Sequence, residues 1–195
     1  METIIPRWEW RTFATDFGAA DQRFAAMKIE KIQESDEIYL LSASTYANVK
    51  IRDGLMDIKT LVQTSPAGLE QWRPVMKGTF PLSADEVMRV CTVLGVAPPS
   101  PERDALTLEE FREHLMAPTR RVRFVAVHKR RHRYTIGSCM SELTDLVADG
   151  KRARTVAIES EDADRVLAVV REIGLSGFPN ISYPRGLKAL LGLSG

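Results

Sequence analysis

The chain has 195 residues, 44% apolar and 27% charged, with a formal net charge of +1. That length suffices for one domain with a substantial core, or for two small ones at most. The near-neutral balance excludes a protein held to nucleic acid or membrane by its overall charge, so any functional charge must be local.

Pro6 to Phe13 alternates Arg7, Glu9 and Arg11 with Trp8, Trp10 and Thr12, which predicts a strand with an aromatic face that covers a core. Ala19 to Lys28 reads as a short helix, and Glu37 to Ser42 as a strand. Asn48 to Lys59, NVKIRDGLMDIK, reads as a hairpin, because Asp-Gly tolerates the positive φ of a two-residue turn. That turn sets Arg52 opposite Leu55, Ile51 opposite Met56, Lys50 opposite Asp57, Val49 opposite Ile58 and Asn48 opposite Lys59. Opposed residues share a face. One face is then Val49, Ile51, Met56 and Ile58; the other is Lys50, Arg52, Asp57 and Lys59. Gly68 to Phe80 is a less regular strand, in which Arg73 and Lys77 are expected on one side and Pro74 marks an edge or a bulge.

Ser83 and Glu86 form a capping box for a helix that Gly95 ends, and Thr107 and Glu110 start a second helix in the same way. APPSP between them is a loop. Arg121 to Tyr134 and Thr135 to Ala148 read as strands. Asp149-Gly150 turns the chain into a strand from Lys151 to Glu161. Asp162 caps a helix through Ile173, and Pro184 to Leu191 is a final short helix. Adjacent strands joined by tight turns, with helices inserted between sets of strands, predict an antiparallel α+β protein. Cys91 and Cys139 match no metal-ligand spacing and read as buried, reduced thiols of a cytoplasmic protein. METIIPRWEW lacks a secretory apolar core, and no apolar run is long enough to span a bilayer.

The charged-face pattern repeats. Lys129, Arg131 and Arg133 share one face of their strand, with His128, Arg130 and His132 on the other, where surface roles are expected. Thr155, Ala157, Glu159 and Glu161 oppose Val156 and Ile158. Two architectures satisfy this: an open sheet that shows its charges to water, or a closed one with charges inside and helices outside. A lumen rich in Lys and Arg needs a polyanion or ordered water to fill it. The closed form therefore predicts a compact, highly charged anion, most simply a chain of phosphates.

In order along the chain, WEWRTF, DEIYLL, VKIRDG with MDIK, WRPV, VHKRRHRY, SELTDLVADG, TVAIESED and SYPRGLKALL resemble the strands and C-terminal helix of the CYTH domain, or triphosphate tunnel metalloenzymes. The resemblance covers nearly the whole chain, residues 1–195, as a single domain. It implies a closed antiparallel β-barrel, a tunnel with charged interior and helices packed outside, that binds and often hydrolyses inorganic or organic triphosphate or polyphosphate with Mg²⁺ or Mn²⁺. It assigns substrate binding to Arg11, Lys50, Arg52, Lys59, Arg73, Lys129 and Arg131. Catalysis falls to Glu9, Glu159 and Lys129, and metal binding to Glu9, Glu142 and Glu159. Two positions depart from the pattern: Arg7 and Ala157 stand where the family has glutamates. Mg²⁺ needs only one or two carboxylates beside substrate phosphates. Against it, Arg7 near the ion would repel it by several kcal/mol at ~4 Å in a partly shielded site.

Three functions compete. The first is a metal-dependent triphosphatase-type phosphohydrolase; a cyclase acting on ATP also occurs in the resembled family. The second is a catalytically impaired polyphosphate or nucleotide binding module on the same fold. The third, a nucleic-acid binder using Arg120 to Arg133, is disfavoured because Phe124 and Tyr134 give no regular aromatic interleaving.

Overall fold

The Asp53-Gly54 turn forms as its letters require, with φ of 52° and 71°. All five cross-strand pairs expected of the hairpin are present, from Asn48 opposite Lys59 to Arg52 opposite Leu55. The computed structural model describes residues 5–99, 104–116 and 122–193. The expectations for Met1 to Ile4, Ser100, Pro101, Arg120 and Arg121 fall outside these residues.

The strands are β1 (Arg7–Ala14), β2 (Lys31–Ser42), β3 (Asn48–Arg52), β4 (Leu55–Thr64), β5 (Glu70–Thr79), β6 (Leu82–Ser83), β7 (Ala105–Leu106), β8 (Val122–Ile136), β9 (Cys139–Ala148) and β10 (Lys151–Ser160). The helices are α1 (Ala19–Ala26), α2 (Ala84–Leu94), α3 (Leu108–Leu115), α4 (Ala163–Glu172) and α5 (Tyr183–Leu191). Eight antiparallel strands close a barrel in the order β1-β10-β9-β8-β2-β3-β4-β5, with β1 completing the ring against β5. Closure removes the sheet edges. The short β6 and β7 pair separately beside α2 and α3.

Both capping boxes are made: Ser83 with Glu86 starts α2, and Thr107 with Glu110 starts α3. Asp162 caps α4 through the amides of Asp164 and Arg165. The structure corrects three boundaries. β2 begins at Lys31 rather than Glu37, because Lys31 to Asp36 pair with β8. β8 runs on to Ile136, and the turn falls at Gly137-Ser138, where φ is 52° and 64°. α5 begins one residue early, at Tyr183.

Four helices pack outside the barrel. The apolar stripe of α4 (Val166, Val169, Val170) and Phe24 of α1 bury against Trp10, Val156, Ile158 and Leu143. Val87, Val90 and Leu94 of α2, with Phe111 and Leu115 of α3, cover Val49, Ile51, Met56 and Ile58. Each such fully buried side chain is worth about 1.5–3 kcal/mol. The fifth helix departs from the expectation that all lie outside. Tyr183 and Leu187 of α5 pack on the inward-facing Tyr39, Leu41, Val125, Val127 and Leu146, so α5 closes one end of the barrel. Among the described residues, no helix is long and apolar enough to cross a membrane. Cys91 and Cys139 are both buried, in separate apolar clusters.

Candidate anion-binding site

Alternation along each strand sends every second side chain inward, and away from the end that α5 closes the inward set is mostly charged. The resulting cavity, of about 530 Å³, is lined by Arg7, Glu9 and Arg11 of β1, Lys50 and Arg52 of β3, and Asp57 and Lys59 of β4. Lys77, Lys129, Arg131, Arg133, Glu142, Ala157 and Glu159 complete its charged and small-residue wall. Tyr39 and Tyr183 form the floor; their rings stack with centroids 5.0 Å apart. The apolar cluster held by α5 lies beyond them, and the cavity is blind at that end.

The stretch before α5 sets this floor. Asn180 accepts a hydrogen bond from the Arg11 amide (2.7 Å) and donates to the Gly68 carbonyl (2.8 Å), and the Ile181 amide donates to the Arg11 carbonyl (2.6 Å). Gly186 lets α5 approach β1 so closely that a Cβ there would overlap the Phe13 ring.

Of the residues expected at the site, Glu9, Arg11, Lys50, Arg52, Lys59, Lys129, Arg131, Glu142 and Glu159 all line this cavity. Arg73 does not. It is exposed on the outer face, opposite Thr60. The cause is a bulge: Ile58 pairs with Met76 but Lys59 pairs with Pro74, so Val75 is an extra residue and the inside-outside alternation slips by one. Arg73 and Lys77 therefore lie on opposite faces, and Lys77 takes the inward place. Pro74, which has no N–H for the ladder, was the signal for the bulge.

The cations gather around a carboxylate that the sequence reading assigned no role. Glu37 is fully buried. Its Oε2 receives Lys129 (2.9 Å), Lys50 (3.3 Å) and the Tyr39 hydroxyl (3.0 Å). Its Oε1 receives Arg131, the Ser35 hydroxyl (3.2 Å) and, more distantly, Arg52 (3.6 Å). Burial pushes the Glu37 carboxyl up, but Lys129, Lys50 and Arg131 outweigh it and hold the group well below the usual carboxylate range. Burial in turn drives Lys129 and Lys50 below an ordinary lysine, opposed by Glu37. Lys129 also donates to the Tyr39 hydroxyl (2.5 Å) and sits over the Tyr183 ring, 3.7 Å from its centroid. The only signal for Glu37 in the sequence was its place two residues before Tyr39 on an inward face.

A second group lies along β1, β9 and β10. Arg11 pairs with Glu9 at 2.7 Å and with Glu142 at 3.5 Å. Burial works against the Arg11 charge, but Glu9 and Glu142 outweigh it and lock the guanidinium charged. Glu142 is likewise held low against burial by Arg11 and Arg131. Glu159 behaves differently. It faces Glu9 directly across β1 and β10, and burial together with the Glu9 charge pushes it up. Arg7 lines the cavity near this pair and donates to the Met140 sulfur at 3.1 Å. Glu161 lies beside it in a smaller cavity of about 300 Å³ that shares Arg7, Glu9, Lys59 and Glu159 with the first. His128 is half-exposed and paired with the exposed Asp36, which bears out its surface placement.

No protein-family model matches the chain, and no curated protein matches it by sequence. Solved structures do match. HpAC1 from Hippeastrum, described as having a dominant triphosphatase activity, is 13% identical over 94% of this chain and 95% of its own, with a TM-score of 0.56. A conserved hypothetical protein from Pyrococcus furiosus is also 13% identical, over 91% of this chain and 98% of its own, with a TM-score of 0.50. At such identity the likeness shows the fold alone. The chain has the CYTH-type triphosphate-tunnel fold, α+β with an eight-stranded antiparallel ring around a charged interior.

Proposed function

We propose that the chain binds linear triphosphate or polyphosphate, inorganic or organic, in the barrel and hydrolyses a terminal phosphoanhydride bond with a divalent ion such as Mg²⁺ or Mn²⁺. The observation that carries this is the convergence of Lys50, Arg52, Lys59, Lys77, Lys129 and Arg131 on one blind cavity. So many cations in an enclosed space call for a dense anion. Phosphoryl transfer is mostly positioning and charge neutralisation, and these residues supply both. Arg52 and Arg131 present planar forks to pairs of oxygens, and the lysines act as point charges. Lys129, deepest in the cavity, holds the terminal phosphate. The fold of HpAC1, which carries a triphosphatase activity, supports the reading.

Among the described residues, no group of three or more His, Cys, Asp or Glu side chains is placed to hold a metal ion. Glu142 is the poorer candidate ligand, because it is shared between two guanidinium groups, those of Arg11 and Arg131, whereas Glu9 meets Arg11 alone. The Glu9–Glu159 pair does fit. Burial and then the facing Glu9 charge raise Glu159, and one ion that phosphate oxygens and water complete would relieve the repulsion between the two. Such an ion would draw charge from the scissile phosphorus. Glu9 and Glu159 would also orient the attacking water by accepting its hydrogens.

One observation favours binding without hydrolysis: Arg11 already holds Glu9 at 2.7 Å. A single assay separates the two readings, namely phosphate release from tripolyphosphate with Mg²⁺ or Mn²⁺ against a chelator control, beside calorimetric binding. Metal-dependent release supports the hydrolase. Tight binding with no release supports the module. Neither binding nor release overturns both.

A further inference from the structure

Glu37 is acidic in a site built for anions, and no ligand can reach it, since its side chain is 0% exposed. Buried ion networks are weak devices for stability alone, so its placement calls for another reason. We propose that Glu37 is a positioning residue, an internal counter-charge that holds Lys50, Arg52, Lys129 and Arg131 as a preformed anion cradle. The inference rests on the reading of the cavity as a phosphate site.

The geometry leaves the cradle's donors available. An ammonium group has three hydrogens. Lys129 gives one to Glu37 and one to the Tyr39 hydroxyl, and Lys50 gives one to Glu37. The third Lys129 hydrogen and the other two of Lys50 are not spent on Glu37 or Tyr39, and both residues line the cavity. Glu37 ties the four cations to a common point, while Glu142 and Asp53 touch Arg131 and Arg52 only at 3.9 Å. The Glu37 oxygens are themselves fixed by Ser35 and Tyr39 on the same strand.

Lys129 is the most enclosed of the four cations, with a side chain 3% exposed. It is faced by Glu37 and Tyr39 of β2, Lys50 of β3, Arg131 of β8, Glu142 of β9, Arg11 of β1 and Tyr183 of α5. Burial favours the neutral amine, and Lys50 and Arg131 push the same way. Glu142 turns its carboxylate to Arg11 and Arg131. Glu37, in contact at 2.9 Å, is the carboxylate that offsets these effects. Without it Lys129 would lose its proton at lower pH, and the cavity would lose its deepest charge.

The test follows the Lys129 Cε resonance by NMR in protein labelled with carbon-13 lysine, from roughly pH 5 to 11, assigned with Lys129→Arg. Tripolyphosphate affinity is measured by calorimetry, without metal, at the same pH values. In Glu37→Gln the Lys129 midpoint should fall by about one pH unit or more relative to wild type. Tripolyphosphate affinity should begin to drop at correspondingly lower pH, about tenfold per unit above the midpoint. Glu37→Asp, which keeps the charge but withdraws it by one methylene, should lie between the two. Equal midpoints in wild type and Glu37→Gln would overturn the proposal. Should Glu37→Gln fail to fold, a Glu37→Asp midpoint equal to wild type overturns it instead. A wild type with no affinity for tripolyphosphate at any pH removes the functional reading, and the midpoints still decide the role of Glu37.

Discussion

Lys129 Nζ lies 3.7 Å from the centre of the Tyr183 ring, and Tyr183 stacks on Tyr39 with centres 5.0 Å apart. The deepest ammonium of the cavity thus rests on the aromatic floor that closes the barrel. A cation over an aromatic face gains about 0.5–2 kcal/mol, and the contact holds Lys129 at the end of a blind channel. On the proposed function, a phosphate chain would then enter terminus first. Linear tripolyphosphate should bind at least ~10-fold more tightly than cyclic trimetaphosphate, a loss of about 1.4 kcal/mol for the missing terminal group. Competition calorimetry at matched ionic strength checks this; equal affinities would mean that the chain end is not what the floor reads.

The bulge at Val75 separates two arginines that sequence alternation alone treats alike. Arg52→Ala removes an inward guanidinium and should weaken tripolyphosphate binding by about 1.5–3 kcal/mol, the range of a charge-assisted hydrogen bond. Arg73→Ala removes an outward one and should change affinity by less than about twofold, within the scatter of surface substitutions. Loss of binding in Arg73→Ala would put the bulge in the wrong place.

Gly186 sets how deep α5 sits. Gly186→Ala would press a methyl group into the Phe13 ring and should lower stability by about 1–3 kcal/mol through overpacking. Phe13→Leu on the Gly186→Ala background should recover part of that loss. Urea unfolding of the single and double variants gives the coupling; a neutral Gly186→Ala would mean that α5 can shift without cost.

Arg7 lines the cavity beside the Glu9–Glu159 pair. Arg7→Glu replaces a cation with a third carboxylate. Affinity for Mn²⁺, read by calorimetry without phosphate, should rise at least ~10-fold, since a like charge at several ångströms costs on the order of 1–4 kcal/mol. No gain would exclude Arg7 from the neighbourhood of the ion.

Much of this was legible in the letters. The hairpin register from Asn48 to Lys59 followed from Asp-Gly, because a two-residue turn leaves no freedom in pairing. The two capping boxes placed α2 and α3 to within a residue. The first half of β2 was missed because Lys31 to Asp36, apart from the exposed Ile32, are polar on both faces, and their strand character comes from pairing with β8. The end of β8 was read two residues early, at Tyr134 rather than Ile136, since the letters carry no break before the Gly137-Ser138 turn. Arg73 was misplaced because one extra residue inverts every later side chain. In DEIYLL an acidic residue ahead of Tyr39 was legible, but Glu37 was given no role because a lone acidic residue has no meaning until its partners are known.

What the sequence determined by itself was the alternation: which residues share a face of each strand, where most turns and caps fall, and that the charged faces recur. Alternation is a local property of the backbone and survives in the letters. Only the tertiary structure decided that the sheet closes, that α5 stops one end, and that Lys50, Arg52, Lys129 and Arg131 meet at Glu37. Those contacts join β2 to β3 and to β8, and the distant residues they bring together carry no mark of one another until the ring is formed.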